Sequence, residues 1–218
     1  MLFGLDLRLG RGEVLALLGR NGAGKSTALK AAMGLVKVFS GDMKFDNDNL
    51  RNLQPHEVAR LGLGYVPEER RIFTGLSVAE NLEAGRQPAR EGAPRWTPEK
   101  LYALFPNLGR LRDRRGGSMS GGEQQMLAIA RTLMGNPRAV LLDEPFEGLA
   151  PLIVEGVAAA IHELRREGLS VLVCEQNLRL ARRVADRACI LESGRLRWSG
   201  NFAALEAEPS LGERYLSA

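Results

Sequence analysis

The sequence predicts an α/β fold whose central sheet is mainly parallel. Short apolar runs alternate with segments of helical periodicity, and the runs contain few polar residues. Strands that are apolar on both faces belong in a parallel sheet covered by helices on both sides. The length of 218 residues fits one domain built in this way. The predicted strands are Glu13–Leu18, Leu63–Val66, Ala139–Leu142, Leu169–Cys174 and Ala188–Leu191.

The helices between these strands are predicted from periodicity and from the residues that end helices. Lys25–Met33 follows the first strand and stops at Gly34. Pro151–Glu167 stops at Gly168, and Asn177–Ala185 precedes the last strand. Each helix therefore connects two strands, as crossover connections in parallel sheets require.

The stretch from about 73 to 135 differs, since it contains helical signals and no strand pattern. We predict a helical subdomain there, inserted into a single domain of residues 1–218. Ser77 and Glu80 have the spacing of a capping box and open a helix. Thr97 before Pro98 opens a second helix, after an exposed linker rich in Gly, Pro and Arg. The third helix, Gly121–Met134, places its apolar residues on one face.

Charge and hydropathy argue against several classes of protein. Lys+Arg 30 against Asp+Glu 26 gives a net charge of +4, spread along the chain. The densest basic cluster, Arg110–Arg115, contains no aromatic residues on which bases could stack, so we expect no nucleic-acid partner. No apolar run approaches the roughly 18 residues of a membrane span, and the first residues lack the pattern of a secretion signal. Cys174 and Cys189 lie in apolar runs and are expected to be buried rather than metal-bound.

A glycine-rich segment between the first strand and the first helix has the pattern G-x-x-x-x-G-K-[ST]. Its glycines allow backbone N–H groups to converge on phosphate oxygens, and the helix N-terminus adds favourable electrostatics. Lys25 can reach the β and γ phosphates, and the Ser26 hydroxyl can ligate Mg²⁺. We predict that this phosphate loop binds the phosphates of a nucleotide through Gly19, Arg20, Asn21, Gly22, Ala23, Gly24, Lys25, Ser26 and Thr27.

Two acidic residues, Asp143 and Glu144, follow directly after the third predicted strand. The carboxyl ends of the strands are where α/β folds bind ligands. We predict Asp143 as a contributor to the Mg²⁺ shell and Glu144 as the general base that polarises the attacking water. An acidic strand end is often only a helix cap, so this prediction depends on the phosphate loop beside it.

Ser120-Gly-Gly-Glu123 stands at a helix start about twenty residues before Asp143, where free N–H groups can bind an anion. The order of the phosphate loop, this segment and Asp143 along the chain resembles that of the ATP-binding subunits of ABC transporters. The resemblance extends from about Leu5 to Leu205. The resemblance implies a P-loop NTPase fold with a small antiparallel β part. It also implies a head-to-tail dimer in which Ser120, Gly121, Gly122 and Glu123, the signature segment, contact the ATP of the other subunit.

Besides the mild departures Met119 and Glu123 at the signature, three positions depart from the pattern of the wider family. Glu68 stands where that family usually has Gln, and it retains an oxygen for Mg²⁺ or water. Gln176 stands where most members have a switch His, and it can donate a hydrogen bond to a phosphate but cannot titrate near neutral pH. The resemblance thus assigns Glu68 and Gln176 to the catalytic set with Glu144. Glu147 begins the loop after the acidic pair, again without the commonest residues.

These departures are typical of one branch, the importers of branched-chain amino acids. The resemblance implies transmembrane permease subunits and a second ATP-binding subunit as partners, at the cytoplasmic face of the inner membrane. An importer of urea or short amides, or a soluble regulatory nucleotide-binding module, remains an alternative. In the resembling families an aromatic residue about twenty or more positions before the phosphate loop stacks on adenine. Phe3 stands too close, beside an inward-facing strand predicted over Leu5–Leu9, so we expect weak discrimination between ATP and GTP.

Overall fold

The computed structural model describes residues 1–216 and contains eight strands and ten α-helices in that range. The strands are β1 Val14–Leu18, β2 Lys44–Phe45, β3 Asp48–Asn49, β4 Leu63–Val66, β5 Ala139–Asp143, β6 Ser170–Glu175, β7 Arg187–Glu192 and β8 Arg195–Asn201. The helices are α1 Lys25–Ala32, α2 Pro55–Leu61, α3 Val78–Ala84, α4 Pro98–Leu104, α5 Pro106–Arg110, α6 Gly121–Leu133, α7 Pro151–Arg166, α8 Leu178–Val184, α9 Phe202–Glu206 and α10 Pro209–Tyr215.

Six strands form one sheet in the order β4-β5-β6-β1-β7-β8. All neighbours in it are parallel except β7 and β8, and β2 pairs with β3 in a separate antiparallel hairpin. The prediction of a mainly parallel α/β sheet with a small antiparallel part is therefore confirmed. Because β1, β5 and β6 run in the same direction, the residues that follow them meet at one edge of the sheet.

Alternate residues of the central strands pack on opposite faces of the sheet. Val140 and Leu142 of β5 belong to the apolar core on the side of α6 and α7. Leu141 packs with α1 on the other face. Side chains in a strand alternate with a period of two residues, so Asp143 follows Leu141 onto the α1 face. This register directs the Asp143 carboxylate toward the start of α1.

Helices α3 to α6 lie between β4 and β5 in the chain, and three of them begin where the sequence predicts. Ser77, Thr97 and Ser120 are N-caps whose side chains accept hydrogen bonds from backbone N–H groups of the first turn. The linker before α4 is irregular, as predicted, but its Trp96 is 2% exposed rather than open to solvent. The division into one domain with a subdomain at 73–135 stays a prediction.

One predicted strand is wrong. Residues 1–13 form no strand in the part of the chain that the structure describes, although Leu5, Leu7 and Leu9 do pack inward on the α1 side of the core. Their alternating burial matches the predicted inward-facing pattern, but a strand also needs a hydrogen-bonded ladder with a neighbour. The segment therefore covers the core without joining the sheet.

Candidate functional site

The phosphate loop connects the buried end of β1 to the start of α1. Gly22 and Gly24 have φ of 78° and 109°, in the left-handed region that favours glycine. A Cβ on Gly19 would lie 2.4 Å from the carbonyl oxygen of Leu191, so this position also requires glycine. Gly24 is the N-cap of α1, whose first turn contains no acidic residue. The loop and the helix N-terminus thus form a place where an anion is favoured.

Lys25 is buried inside this loop. Its Nζ donates hydrogen bonds to the carbonyl oxygens of Gly19, at 2.8 Å, and of Arg20, at 3.3 Å. The same Nζ lies 3.1 Å from Oε1 of Glu144, which is also buried. The phosphate loop and the acidic residue after β5 are therefore in direct contact.

Ser26 and Asp143 meet beside this pair. Ser26 Oγ donates to Asp143 Oδ1 at 3.0 Å, and Tyr65 Oη donates to Asp143 Oδ2 at 3.1 Å. Burial raises the pKa of Asp143, while the hydrogen bonds from Ser26 and Tyr65 act in the opposite direction. Burial, with the nearby Asp143 carboxylate, raises the pKa of Tyr65. The hydroxyl of Tyr65 is therefore a stable donor to Asp143 across the physiological pH range.

The donor set of Ser26 and Asp143 fits Mg²⁺. This ion prefers oxygen ligands and is usually bound through one or two carboxylates together with substrate phosphates, rather than by an all-protein cage. Among the side chains that the structure describes, no group of three or more His, Cys, Asp or Glu could hold a metal ion. Ser26 and Asp143 are the residues that would hold Mg²⁺ next to nucleotide phosphates.

Glu144 connects three parts of the site. It has a left-handed φ of 47°, and its backbone N–H donates to the carbonyl oxygen of Cys174 at 3.0 Å. Its Oε2 accepts from Gln176 Nε2 at 2.6 Å. The structure thus joins Lys25, Glu144 and Gln176, which the sequence predicts separately.

Two further carboxyl groups lie near Glu144. Glu147 is exposed, and partial loss of solvent around its carboxyl group, followed by repulsion from Glu144 and Glu68, raises its pKa. Glu68 is exposed in the turn after β4 and has no hydrogen bond or ion pair from its side chain to the rest of the described chain. Glu68 is therefore near the acidic group without being held there.

Glu175 ends β6 beside Gln176 and is 4% exposed. Its Oε2 accepts from the backbone N–H groups of Gln176, at 3.1 Å, and Asn177, at 3.4 Å, while its Oε1 is buried without a hydrogen-bond partner. Burial raises the pKa of Glu175 to about 7. This buried carboxyl group fixes the start of the loop that presents Gln176 to Glu144.

The signature segment forms the start of α6. Ser120 and Glu123 form a capping box in which Ser120 N donates to Glu123 Oε2 at 2.7 Å. No hydrogen bond or ion pair among residues 1–216 joins the segment to the phosphate loop of the same chain. The structure therefore does not bring these two predicted parts together within one chain.

Phe3 lies near the phosphate loop through backbone contacts. Its N–H donates to the carbonyl oxygen of Gly194, and Gly194 N–H donates to that of Ala23, both at 2.8 Å. The Phe3 ring lies 5.1 Å from the guanidinium carbon of Arg195. Weak discrimination between ATP and GTP stays a prediction.

The sequence profile of the ABC transporter family matches residues 2–147, which include the phosphate loop, the signature segment and the acidic pair. The chain belongs to the ABC transporter family. It is an ATP-binding subunit and an ATPase. The branched-chain amino acid transport ATP-binding protein BraG of Pseudomonas aeruginosa is 41% identical over 99% of this chain and 92% of its own length. The lipopolysaccharide export ATP-binding protein LptB of Haemophilus influenzae is 38% identical over 88% of this chain and 80% of its own length.

Solved structures agree with the assignment of this chain to the ABC transporter family. A nucleotide-free ATP-binding cassette of an ABC transporter superimposes with a TM-score of 0.81 at 25% identity, covering 97% of this chain and 91% of its own. A dimeric cassette in a post-hydrolysis state, bound to ADP and Pi, superimposes with a TM-score of 0.79 at 25% identity, covering 92% of this chain and 90% of its own. In residues 1–216 of the ABC ATPase, no helix combines the length and apolarity needed to cross a membrane. The roles of the individual site residues stay predictions.

Proposed function

We propose that this ABC ATPase energises an importer of branched-chain amino acids from the cytoplasmic face of the inner membrane. The observation that carries the proposal is the 41% identity with BraG along nearly the whole of both chains. Gln176 and Glu68, which resemble that branch rather than the wider family, support it. An importer of urea or short amides, or a soluble regulatory module, would share the same ATP site.

The residues around Lys25 support hydrolysis of ATP with Mg²⁺. When bound, Mg²⁺ would neutralise phosphate charge, held by Ser26, Asp143 and, through its exposed carboxylate, Glu68. Lys25 would move from Glu144 to the β and γ phosphates. Glu144 would then accept a proton from water while the water oxygen bonds to the γ phosphorus. The bond from that phosphorus to the bridging oxygen breaks, and ADP and phosphate leave. Gln176 would orient the γ phosphate or the water.

We propose that two subunits complete each site. The signature segment of one subunit would face the phosphate loop of the other, because the two are not in contact within one chain. The first turn of α6 offers backbone N–H groups to the γ phosphate of the other subunit's ATP. Dimeric cassettes among the solved structures support this arrangement.

A groove of about 610 Å³ between α2, β4 and α6 is the proposed docking surface for a permease subunit. Its lining includes Phe73, which is 50% exposed, and the four arginines Arg60, Arg71, Arg90 and Arg131. None of the described residues that line it is Asp or Glu. Arg131 Nη1 is buried there without a hydrogen-bond partner. A permease segment with an apolar side chain for Phe73 and a carboxylate for the arginines would fit.

Transport by the assembled complex tests the proposed function. The chain would be co-expressed with candidate permease subunits from the same genome, and the complex reconstituted in liposomes with ATP inside and the corresponding binding protein outside. We expect ATP-dependent uptake of radiolabelled leucine that the Glu144→Gln variant lacks. Uptake of urea or acetamide in place of leucine would contradict the assignment of the solute.

The similarity to LptB makes export a second candidate function. The same co-expression distinguishes the two, since an exporter ATPase would assemble with membrane subunits that support no uptake of leucine, urea or amide. ATP hydrolysis by that complex without any uptake would favour export.

A further inference from the structure

We propose that Tyr65, which lies outside every motif of the sequence, is a positioning residue for the metal carboxylate Asp143. The inference rests on the metal site proposed above for Ser26 and Asp143. Tyr65 donates its hydroxyl hydrogen to Asp143 Oδ2 at 3.1 Å, and Ser26 donates to Oδ1 at 3.0 Å. Each oxygen of the carboxylate is thus held by a donor from a different element.

The register of the sheet makes this contact possible only for a long side chain. Tyr65 of β4 pairs with Leu141 of β5, so Asp143 lies two residues further along the neighbouring strand. Two residues correspond to about 6.6 Å of strand, and their side chains point to the same face. A tyrosine ring bridges that distance and places its hydroxyl at the carboxylate, whereas Phe would stop short of it.

Packing alone does not account for the hydroxyl. The Tyr65 ring packs against the apolar core on the α1 face, where Phe would serve equally well. Asp143 is 1% exposed, so water is not available to replace a lost donor at Oδ2. Without the Tyr65 hydroxyl, the hydrogen bond from Ser26 to Oδ1 is the only side-chain hydrogen bond that still restrains rotation of the carboxylate about its Cβ–Cγ bond.

The same ring lines the groove that we propose for the permease. One side chain therefore contacts both the proposed partner surface and the proposed metal carboxylate. The residue that donates to Asp143 thus lies on β4, the edge strand next to the groove, rather than on a loop of the ATP site.

The test measures how much Mn²⁺, used in place of Mg²⁺, strengthens nucleotide binding. The affinity for a fluorescent non-hydrolysable ATP analogue is measured with Mn²⁺ and with EDTA, and by linkage the ratio reports how tightly the protein holds the metal. We expect Tyr65→Phe to lower this ratio about tenfold and to change the affinity in EDTA by less than twofold. Tyr102→Phe, the matched control in the helical stretch, should retain the wild-type ratio.

Three outcomes would overturn the inference. In the first, the ratio is large for the wild type, and the ratio for Tyr65→Phe lies within twofold of it. This result would refute the role of Tyr65 and leave the metal site intact. Equal losses of affinity with Mn²⁺ and with EDTA would show a structural role only. A wild-type ratio near one would contradict the proposed metal site itself, and the inference with it.

A second measurement uses the unaltered chain. The sequence contains three tyrosines, Tyr65, Tyr102 and Tyr215, so a chain labelled with ¹³C at the phenol carbon gives three signals. Adding Mg²⁺ to the ADP-bound protein should shift the Tyr65 signal and leave those of Tyr102 and Tyr215 in place. A Tyr65 signal that does not respond to Mg²⁺ would overturn the proposal even if Tyr65→Phe failed to fold.

Discussion

Lys25 Nζ lies 3.1 Å from Glu144 Oε1, and both side chains are buried. The cation that we assign to the phosphates therefore pairs with the proposed general base. Gln176 holds the other carboxylate oxygen, at 2.6 Å. Lys25 has to leave Glu144 in order to contact a phosphate in the loop. Phosphate binding would therefore free the Glu144 carboxylate to act as the base.

Glu144→Gln should retain ATP binding and lose hydrolysis. Loss of a positioned general base typically lowers the rate by about 10²–10⁴-fold. The variant also removes the charge that competes with ATP for Lys25, so nucleotide should bind at least as tightly as in wild type. Phosphate release and calorimetry measure the two effects. With ATP not hydrolysed, a dimer should accumulate in size-exclusion chromatography with light scattering. Hydrolysis at the wild-type rate would show that the base is another group.

Lys25→Ala should abolish measurable nucleotide binding. The change removes charge-assisted hydrogen bonds, each worth about 1.5–3 kcal/mol, and leaves Glu144 buried without its cation. Calorimetry with ATP and Mg²⁺ checks the loss, with Lys37→Ala, an exposed lysine after α1, as the control. Affinity close to wild type in Lys25→Ala would contradict the assigned role of Lys25.

The sequence predicts those elements whose signals are local. The strand at Leu63–Val66 matches β4, and the capping patterns at Ser77 and Ser120 coincide with the starts of α3 and α6. β8 was missed because it is not an apolar run. Its residues alternate between exposed and half-buried, as in an antiparallel strand with one covered face, and that alternation could have identified it. α2 was missed although Gln54, Pro55 and Glu57 carry a start signal.

Parts of the site could be predicted because the phosphate loop and the acidic pair are contiguous patterns. The contact of Tyr65 with Asp143 arises from the register between two strands that lie more than seventy residues apart, and no pattern in the sequence encodes it. The ion pair of Lys25 and Glu144 has the same origin, since β1 and β5 are joined only through β6.

Glu175 should make stability depend on pH. Burial raises its pKa from 4.5 to about 7. Between these values the unfolded chain has lost the proton that the folded chain keeps, so the free energy of unfolding falls as pH rises. A shift of this size corresponds to about 3 kcal/mol of unfolding free energy. This contribution is present in full below pH 4.5 and is lost above pH 7.

Urea unfolding of the Glu175→Gln variant at several pH values measures this effect. Relative to wild type, Glu175→Gln should gain roughly 3 kcal/mol between pH 4.5 and pH 8, because Gln has no proton to lose. The exposed Glu91→Gln should show no such trend. A difference between wild type and Glu175→Gln that stays constant with pH would refute the prediction.

Phe73→Ala should weaken assembly with the permease. Phe73 is 50% exposed in the groove, and the guanidinium carbon of Arg131 lies 4.9 Å from its ring centroid. Truncating a side chain that is a hot spot at the centre of an interface costs about 2 kcal/mol or more, and we expect Phe73 to be one. Co-purification with the tagged permease measures the loss. Phe39→Ala, at a phenylalanine that is 78% exposed outside the groove, is the matched control. Equal recovery of Phe73→Ala and wild type would contradict the docking surface.

The two neighbouring glycines of the signature segment should respond differently to alanine. A Cβ on Gly122 would lie 2.8 Å from Ile153 Cγ2 and 2.9 Å from Ile153 Cγ1, atoms of a β-branched side chain that belongs to α7. A Cβ on Gly121 would lie 2.8 Å from Arg70 Nη1, the far end of a flexible side chain. Alanine in a helix gains at most about 0.5–1 kcal/mol over glycine, a value that holds for the helix interior, whereas overpacking costs about 1–3 kcal/mol. Gly121→Ala should therefore be neutral or stabilising in urea unfolding, and Gly122→Ala should lose about 1–2 kcal/mol.

Because the loss comes from Ile153, the double variant Gly122→Ala with Ile153→Ala should lose less than the sum of the two single changes. Equal stabilities of Gly121→Ala and Gly122→Ala, or strict additivity with Ile153→Ala, would show that this contact does not limit the packing of α6 on α7.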